Sequence, residues 1–156
     1  MSAVGYTAVT GGAVALSAAT AKSILGVKAH ANSGVHIKGF EVAYDGVTAS
    51  AVPVLVELCY ATFATNSPGT ASTSVTPAQQ YGRVLTAGFT AGKTWTTEPT
   101  ALTVLKEWLM APDKGLVMYQ FPLGQEPDSA LAEGFVIRCT APAAVNVRAS
   151  LLVERI

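Results

Sequence analysis

The chain has 156 residues, and its ten basic and ten acidic side chains cancel at neutral pH. A nucleic-acid-binding domain normally carries a concentrated basic face, so this balance argues against a nucleic-acid partner. Charged residues make up 13% of the chain, against ~25% in ordinary soluble domains, and we therefore expect another subunit to cover part of the surface.

The first 20 residues are small, apolar and rich in alanine, and we interpret residues 1–20 as an N-terminal arm or edge strand. Residues 21–156 are then one domain. No basic residue precedes Lys22, so the segment lacks the charged start of a secretory signal. No apolar run approaches the ~18–20 residues of a membrane span. We expect a chain that folds in a reducing cytoplasm and has no membrane partner.

Short apolar or alternating segments, separated by turn residues, follow in chain order. The predicted strands upstream are 13–17, 23–29, 35–45, 52–63, 83–89, 102–110 and 116–121. The turn signals between them include HANSG at 30–34, Asp45–Gly46, PDKG at 112–115 and PLGQEP at 122–127. LTVLKEWLM at 102–110 also fits a helix, but its Thr, Val and Trp residues favour a strand.

The last third has the clearest alternation of apolar and polar residues. VNVRASLLVERI at 145–156 repeats with period two, as in an antiparallel strand packed on one side. GFVIRC at 134–139 places Phe135, Ile137 and Cys139 on one face. The short TAPAA link predicts that these two strands are neighbours. Together the segments predict an all-β fold, an antiparallel β-sandwich (jelly roll) of about 8–9 strands.

Residues 65–80, TNSPGTASTSVTPAQQ, form the one long polar stretch of low complexity. Its composition cannot build a core, so we expect an exposed loop. A loop of this length is often an interaction element, although an idle surface loop is the alternative.

Two cysteines, Cys59 and Cys139, each lie inside an apolar run. Cysteine packs as a small hydrophobe, so we expect two buried free thiols. A disulfide, or a metal site built on the pair, is the less favoured alternative.

AGFTAGKT at 87–94 matches a degenerate phosphate-loop pattern, with Ala87 in place of the first glycine. A working phosphate loop follows a strand and opens a helix, whose N-terminus binds the phosphates. Here WTTEP follows, which is a poor first helical turn. We interpret the match as accidental: a strand end that continues into a glycine-containing loop.

No other group of residues indicates catalysis or a cofactor. His30, His36, Glu41 and Asp45 contain metal-ligand types, but no helical spacing directs them to one point. The nucleophile elbow G-x-S-x-G is absent from the sequence, and Glu107, Glu126 and Glu133 are scattered carboxylates. We therefore expect no catalytic residues, no cofactor and no metal.

Aromatic residues offer an alternative function, because their rings stack on sugars. The interpretation that we favour is that these residues close a core or a subunit interface. Trp95 is the best candidate for a glycan contact among the larger set of Tyr44, Tyr60, Tyr81, Trp95, Trp108 and Tyr119.

Two long stretches, VHIKGFEVAYDGVTASAVPVLVELCYAT at 35–62 and QFPLGQEPDSALAEGFVIRCTAPAAVNVRASLLVERI at 120–156, flank the Ser/Thr/Pro segment. With it they resemble small jelly-roll virion proteins of tailed bacteriophages, which include capsid decoration (cement) proteins. The resemblance is a pattern of strand edges and turns over most of residues 35–156. It implies a non-enzymatic homotrimer that binds the major capsid protein on the capsid surface, made in the host cytoplasm.

The resemblance also implies where contacts lie, because capsid-binding parts of such proteins are often an N-terminal arm and loops. We therefore expect contacts from residues 2–17 and from the 65–80 loop. The candidate capsid or subunit contacts are Tyr6, Val9, Val14, Pro68, Thr76, Gln80 and Trp95. The hypothesis is a structural virion protein that self-associates and stabilises the phage head. The alternative is a jelly-roll recognition module that binds glycans or a host surface, as a fibre or lectin does.

Overall fold

A computed structural model describes residues 3–45 and 52–156, and these form strands with one short 3₁₀ helix at Pro112–Lys114. The predicted turn at Asp45–Gly46 lies partly outside the described residues, which end at Asp45 and resume at Val52. The strands are β1 (Gly5–Val9), β2 (Val14–Leu16), β3 (Ala21–Ala29), β4 (Val35–Asp45), β5 (Val54–Ala61), β6 (Ser72–Val75), β7 (Ala78–Tyr81), β8 (Phe89–Trp95), β9 (Leu102–Met110), β10 (Val117–Gln120), β11 (Gly134–Thr140) and β12 (Val145–Arg155).

The strands form two antiparallel sheets that pack as a sandwich. The first sheet has the order β10-β4-β12-β1-β7, with β2 also paired to β12, and the second has the order β6-β8-β3-β11-β5-β9. Eight of the strands, in the orders β1-β12-β4-β10 and β3-β11-β5-β9, have the topology of a jelly roll. The predicted all-β sandwich is confirmed, with more strands than expected because short polar segments also pair.

The core lies between the sheets and is built from the alternating residues that the sequence indicates. Phe135, Ile137, Leu151 and Val153 are all fully buried in it. Burial of such a side chain contributes about 1.5–3 kcal/mol. The prediction that 134–139 and 145–156 are neighbouring strands is wrong, because β11 pairs with β3 and β5 while β12 pairs with β4 and β1. The short link between them crosses from one sheet to the other.

The N-terminal segment is part of the sandwich rather than an arm. Strand β1 lies between β12 and β7, whereas β2 pairs with β12 alone, so the edge-strand alternative holds for β2 but not for β1. Tyr6 and Ala8 alternate into the core, and Val14 in β2 is also buried. The interpretation of residues 1–20 as an arm is wrong. Small residues of this segment pack on a face of the core, and the local sequence does not indicate that such a face exists.

Residues 62–101 connect β5 to β9 and supply three strands beyond the jelly roll. The predicted strand at 83–89 is wrong, since the strand is β8 at Phe89–Trp95. The predicted loop at 65–80 contains β6 and β7, although most of its residues are exposed. Each short polar strand pairs with a longer one, β6 with β8 and β7 with β1. Backbone pairing to an existing edge thus overrides weak local propensity.

The AGFTAGKT stretch is mostly strand, so our interpretation of a strand end followed by a loop is wrong. Gly92 lies within β8, where a Cβ atom would come within 2.2 Å of the Ser72 hydroxyl oxygen. A side chain at this position would displace the Ser72 hydroxyl and press on Pro68. Lys93 donates a hydrogen bond to the carbonyl of Thr10. The stretch has neither the loop nor the helix that a phosphate loop uses.

Candidate interaction surface

One side of the sandwich carries an unusual share of the exposed apolar side chains. Fourteen large apolar residues are exposed in the described part of the chain, and seven of them lie between residues 104 and 123. We call these seven residues the β9–β10 side: Val104, Leu105, Leu109, Leu116, Met118, Tyr119 and Leu123. Single exposed apolar residues are normal, whereas a cluster of them marks a surface that binds something.

The topology places this cluster where both sheets end. Strand β9 is the last strand of the second sheet and β10 is the last strand of the first. The two edges lie close together, because Phe40 of β4 stacks on both Trp108 of β9 and Tyr119 of β10. An edge strand presents unpaired backbone groups and is a template for a partner unless it is blunted. Strand β9 has a bulge at Leu105, which interrupts its pairing with β5 and favours side-chain contacts over strand addition.

An aromatic pocket of ≈ 310 Å³ opens between these two edges, lined by Phe40, Lys106, Glu107, Trp108, Val117 and Tyr119. The Phe40 ring centroid lies 4.9 Å from that of Trp108 and 5.6 Å from that of Tyr119, with nearly parallel planes. Lys106 Nζ lies 4.8 Å from the Tyr119 ring centroid, which is a cation–π distance. These contacts hold the rings in place before any partner binds.

Trp108 adds an unsatisfied polar group to the pocket wall. Its indole N–H is buried and has no hydrogen-bond partner among the described residues. An unpaired buried donor costs about 1–3 kcal/mol. The side chain as a whole is only half-buried.

The charges on this side are few and balanced. Residues 102–121 contain two basic residues, Lys106 and Lys114, and two acidic residues, Glu107 and Asp113. Asp113 and Lys114 form an exposed ion pair of 3.4 Å. A second copy of this surface would therefore meet no net repulsion between like charges here.

The opposite side of the sandwich is polar by comparison. The edge strands there are β6 and β7, with the sequences STSV and AQQY. Tyr81 at the end of β7 donates a hydrogen bond to Glu154. Val84 and Leu85 in the segment after β7 are its exposed apolar residues.

Four of the seven predicted contact residues are buried and do not lie at a surface that a partner reaches. Tyr6 and Val14 are each 2% exposed, Trp95 is 1% exposed, and Pro68 is also buried. Tyr6 donates its hydroxyl to the carbonyl of Leu85 at 2.9 Å, which fixes the ring within the fold. Ser2, the first residue of the expected 2–17 contact segment, lies outside the described residues.

Trp95 shows how a residue predicted as a contact comes to be buried. It belongs to a small second cluster with Phe63 and Val136 on the outer face of the second sheet. Its indole N–H donates to the carbonyl of Asn66 at 2.8 Å, and its ring lies over Gly26. The segment after β5 covers this face, so Trp95 is not available for stacking on a sugar. A polar, low-complexity sequence gives no signal that it covers apolar residues.

The other three predicted contacts, Val9, Thr76 and Gln80, are exposed. Thr76 lies in the link between β6 and β7. Val9 and Gln80 line a shallow groove of ≈ 290 Å³ on the outer face of the first sheet, which extends to Met118. Two of the predicted contact residues, Val9 and Gln80, therefore share a groove with Met118 of the β9–β10 side.

Our sequence analysis missed the β9–β10 side, although a signal for it was present. LTVLKEWLM places apolar residues on both faces of β9, and LVMYQF does the same around β10. Strands that are apolar on both faces without alternation are covered on both faces. In an edge strand that stays exposed, such a pattern marks a candidate interaction surface.

Charged side chains cluster where β4 begins and β12 ends. Lys38 forms an ion pair with Glu126, and its Nζ lies 3.7 Å from Oε2 of Glu154. The hydrogen bond from Lys38 lowers the pKa of the Glu126 carboxyl to about 2. Nε2 of His36 lies 3.0 Å from Oδ1 of Asp128. These pairs fasten the segment after β10 to the first sheet.

The described residues contain no group of three or more His, Cys, Asp or Glu arranged to hold a metal ion. Of the four residues weighed for such a site, His36 pairs with Asp128 and Glu41 accepts a hydrogen bond from Ser150 at 3.0 Å. His30 Nδ1 accepts from the backbone of Asn32. The side chain of Asp45 lies outside the described residues.

Both cysteines are buried free thiols, as the sequence predicts. Burial raises the pKa of the Cys59 thiol to about 11 and also raises the pKa of Cys139. The thiolate is the reactive form, so these side chains act as core residues rather than as nucleophiles.

Within residues 3–45 and 52–156, no helix has the length and hydropathy needed to cross a bilayer. Comparisons with models of protein families, with curated proteins and with solved structures found no match to the chain. The resemblance to phage virion proteins therefore rests on the sequence segments alone and stays a prediction.

Proposed function

We propose that the chain is a structural virion protein of the capsid decoration type, which self-associates and binds the surface of a phage head. The observation that carries the proposal is the β9–β10 side, where seven exposed apolar residues lie on or next to two adjacent edge strands. A surface of this kind is stabilised when another protein covers it. The low charge content of the chain supports the same inference.

Self-association accounts for this surface with the fewest components. A second copy is always present at the same concentration, and the balanced charges of residues 102–121 allow the surfaces to approach. Most soluble homo-oligomers have closed cyclic symmetry. A trimer with the β9–β10 sides around its axis leaves the outer sheet faces and Thr76 free to contact the major capsid protein.

The test of self-association is the mass of the purified chain, by light scattering on a sizing column over a dilution series. We expect the mass of three chains of 16.0 kDa each, kept on dilution until the concentration at which the oligomer dissociates. Leu109, which is 69% exposed, provides the variant: Leu109→Asp places a charge in the proposed contact and should yield monomers. Val84→Asp, at an exposed valine on the opposite side, is the matched control and should remain assembled.

Capsid binding needs a separate experiment. The purified chain is mixed with capsids that lack it, and the bound fraction is measured by co-sedimentation through a sucrose cushion. Saturable binding at a fixed ratio to the major capsid protein supports the decoration role. If the chain self-associates but never sediments with capsids, the decoration role is wrong while the structural role stands.

A glycan-binding module is the second candidate, and the aromatic pocket favours it. Trp108 and Tyr119 lie there beside the charged side chains of Lys106 and Glu107, a combination that suits a sugar ring with hydroxyl groups. A glycan array tests it. Retention of specific sugars by the wild-type chain, lost in Trp108→Ala but kept in Val84→Asp, supports this candidate over the first.

A further inference from the structure

The turn after β10 presents one leucine to solvent in a rigid setting. Leu123 is 92% exposed. The turn is closed by a 2.9 Å hydrogen bond from the Gln125 backbone N–H to the carbonyl of Pro122, and Gly124 has φ of 82°. The Gly124 N–H also donates to Glu126 at 2.6 Å, and Glu126 pairs with Lys38. These contacts fix the backbone of the turn and so preorganise the position of Leu123 for binding.

The aromatic pocket lies next to this turn on the same side of the molecule. Phe121 packs edge-on against Tyr119, so the chain leaves the pocket wall immediately before the turn begins. The pocket volume of ≈ 310 Å³ exceeds that of a leucine side chain. The exposure of Leu123 shows that it does not fill the pocket of its own chain.

We propose that Leu123 of one copy inserts into the aromatic pocket of the next copy, formed by Phe40, Trp108, Val117 and Tyr119. This inference rests on the proposed self-association and names the contact that drives it. A protruding residue and a pocket on one side of a protomer form a heterologous contact, which closes into a ring when the rotation permits. Buried aromatic pockets that receive an apolar anchor are the usual hot spots of such interfaces.

The substitution Leu123→Asp tests the anchor, with Val84→Asp as a control of equal exposure. Val84 is 93% exposed and lies on the opposite side of the sandwich. We expect Leu123→Asp to raise the concentration at which the oligomer dissociates at least about tenfold, as for loss of a hot-spot residue. The Val84→Asp variant should dissociate as the wild type does. If the two variants assemble equally well, the proposed contact is wrong.

A mixing experiment identifies the pocket as the partner of Leu123. Tyr119→Asp places a charge in the pocket and should weaken assembly as Leu123→Asp does, so each variant alone is monomeric at a concentration where the wild type is assembled. When Leu123→Asp and Tyr119→Asp chains are mixed, one intact leucine and one intact pocket remain, so pairs of unlike chains should form. No pairing in the mixture, with both variants folded by circular dichroism, would show that Leu123 binds elsewhere.

Tryptophan fluorescence gives a readout without any substitution. Trp95 is fully buried, whereas Trp108 is partly exposed in the pocket, so a shift on assembly reports Trp108. We expect the emission maximum to move to shorter wavelength as the concentration rises through the assembly range. A wild-type chain that assembles without this shift contradicts the pocket contact. A wild-type chain that stays monomeric at all concentrations contradicts the proposed self-association itself.

Discussion

Lys38 and Glu126 show how a single residue pair links the fold to the candidate interface. Lys38 belongs to β4 in the first sheet, and Glu126 lies just after the turn that carries Leu123. The carboxylate of Glu126 also accepts from the Gly124 backbone. The pair therefore stabilises the conformation of the turn, not only the sheet below it.

The pH dependence of this pair follows from the lowered pKa of Glu126. Because the folded pKa is about 2 against an ordinary value of 4.5, the carboxylate stabilises the fold above pH 4.5, and this contribution is lost as the pH falls towards 2. Glu126→Gln should therefore be less stable than the wild type at pH 7, with a difference that shrinks below pH 4.5.

Urea unfolding at several pH values measures this difference. Asp113→Asn, which breaks the exposed Asp113–Lys114 pair, is the control and should change stability little, as expected for surface ion pairs. A difference between Glu126→Gln and the wild type that is constant across the acid range would show that the carboxylate charge is not responsible.

Trp95 provides a second prediction for a single residue. Because the ring is fully buried over Gly26 and bonded to Asn66, Trp95→Ala should lower the free energy of unfolding by about 3–5 kcal/mol. Trp95→Phe keeps a ring in the cluster and should cost less. Denaturant titrations followed by circular dichroism measure both. An alanine variant of wild-type stability would contradict the burial and reopen the glycan contact expected from the sequence.

At the scale of elements, close approach between β11 and β3 requires glycine. A Cβ atom on Gly134 would lie 1.9 Å from the carbonyl oxygen of Val27. Since this oxygen belongs to the paired strand, it cannot move without disrupting the sheet. The pairing of β11 at the centre of the second sheet therefore depends on this one position.

Gly134→Ala should destabilise the fold by more than about 3 kcal/mol, beyond ordinary overpacking. Gly12→Ala is the matched control, because a Cβ atom there meets nothing within 4 Å and should change stability little. Thermal unfolding of the two variants side by side is the measurement. Equal melting temperatures would contradict this prediction, because they would show that β3 and β11 move apart easily enough to admit a methyl group at residue 134.

At the scale of the whole molecule, the two sides of the sandwich differ in character. The side that carries the edge strands β6 and β7 is polar, and the β9–β10 side is apolar with balanced charges. The proposed assembly through the β9–β10 side would be driven by burial of apolar surface and not by ion pairs. Its response to salt separates these two driving forces.

The oligomer should persist when the NaCl concentration is raised from about 0.1 M to about 1 M, where the Debye length falls from ~10 Å to ~3 Å. Sedimentation velocity in the two buffers measures this. Sulfate should strengthen the association, because it favours burial of apolar surface. Dissociation in high NaCl would instead indicate that charged groups, such as Arg148 on the outer face of the first sheet, hold the copies together.

The sequence by itself determined the fold class and most strand positions, because alternation such as that of 145–156 depends only on which face of a strand meets the core. It also predicted that Cys59 and Cys139 are buried and free. Four of the seven predicted contacts failed for one reason: whether Tyr6, Val14, Pro68 or Trp95 is covered depends on segments distant in the chain.

The tertiary structure alone decided which apolar residues remain uncovered. The residues of β9 and β10 have the composition of core strands, and they are exposed only because each strand is the last in its sheet. Likewise, the polar segment 65–80 forms strands because longer edges are available to pair with it. Edge position is a property of strand order, which long-range pairing establishes, and no local pattern encodes it.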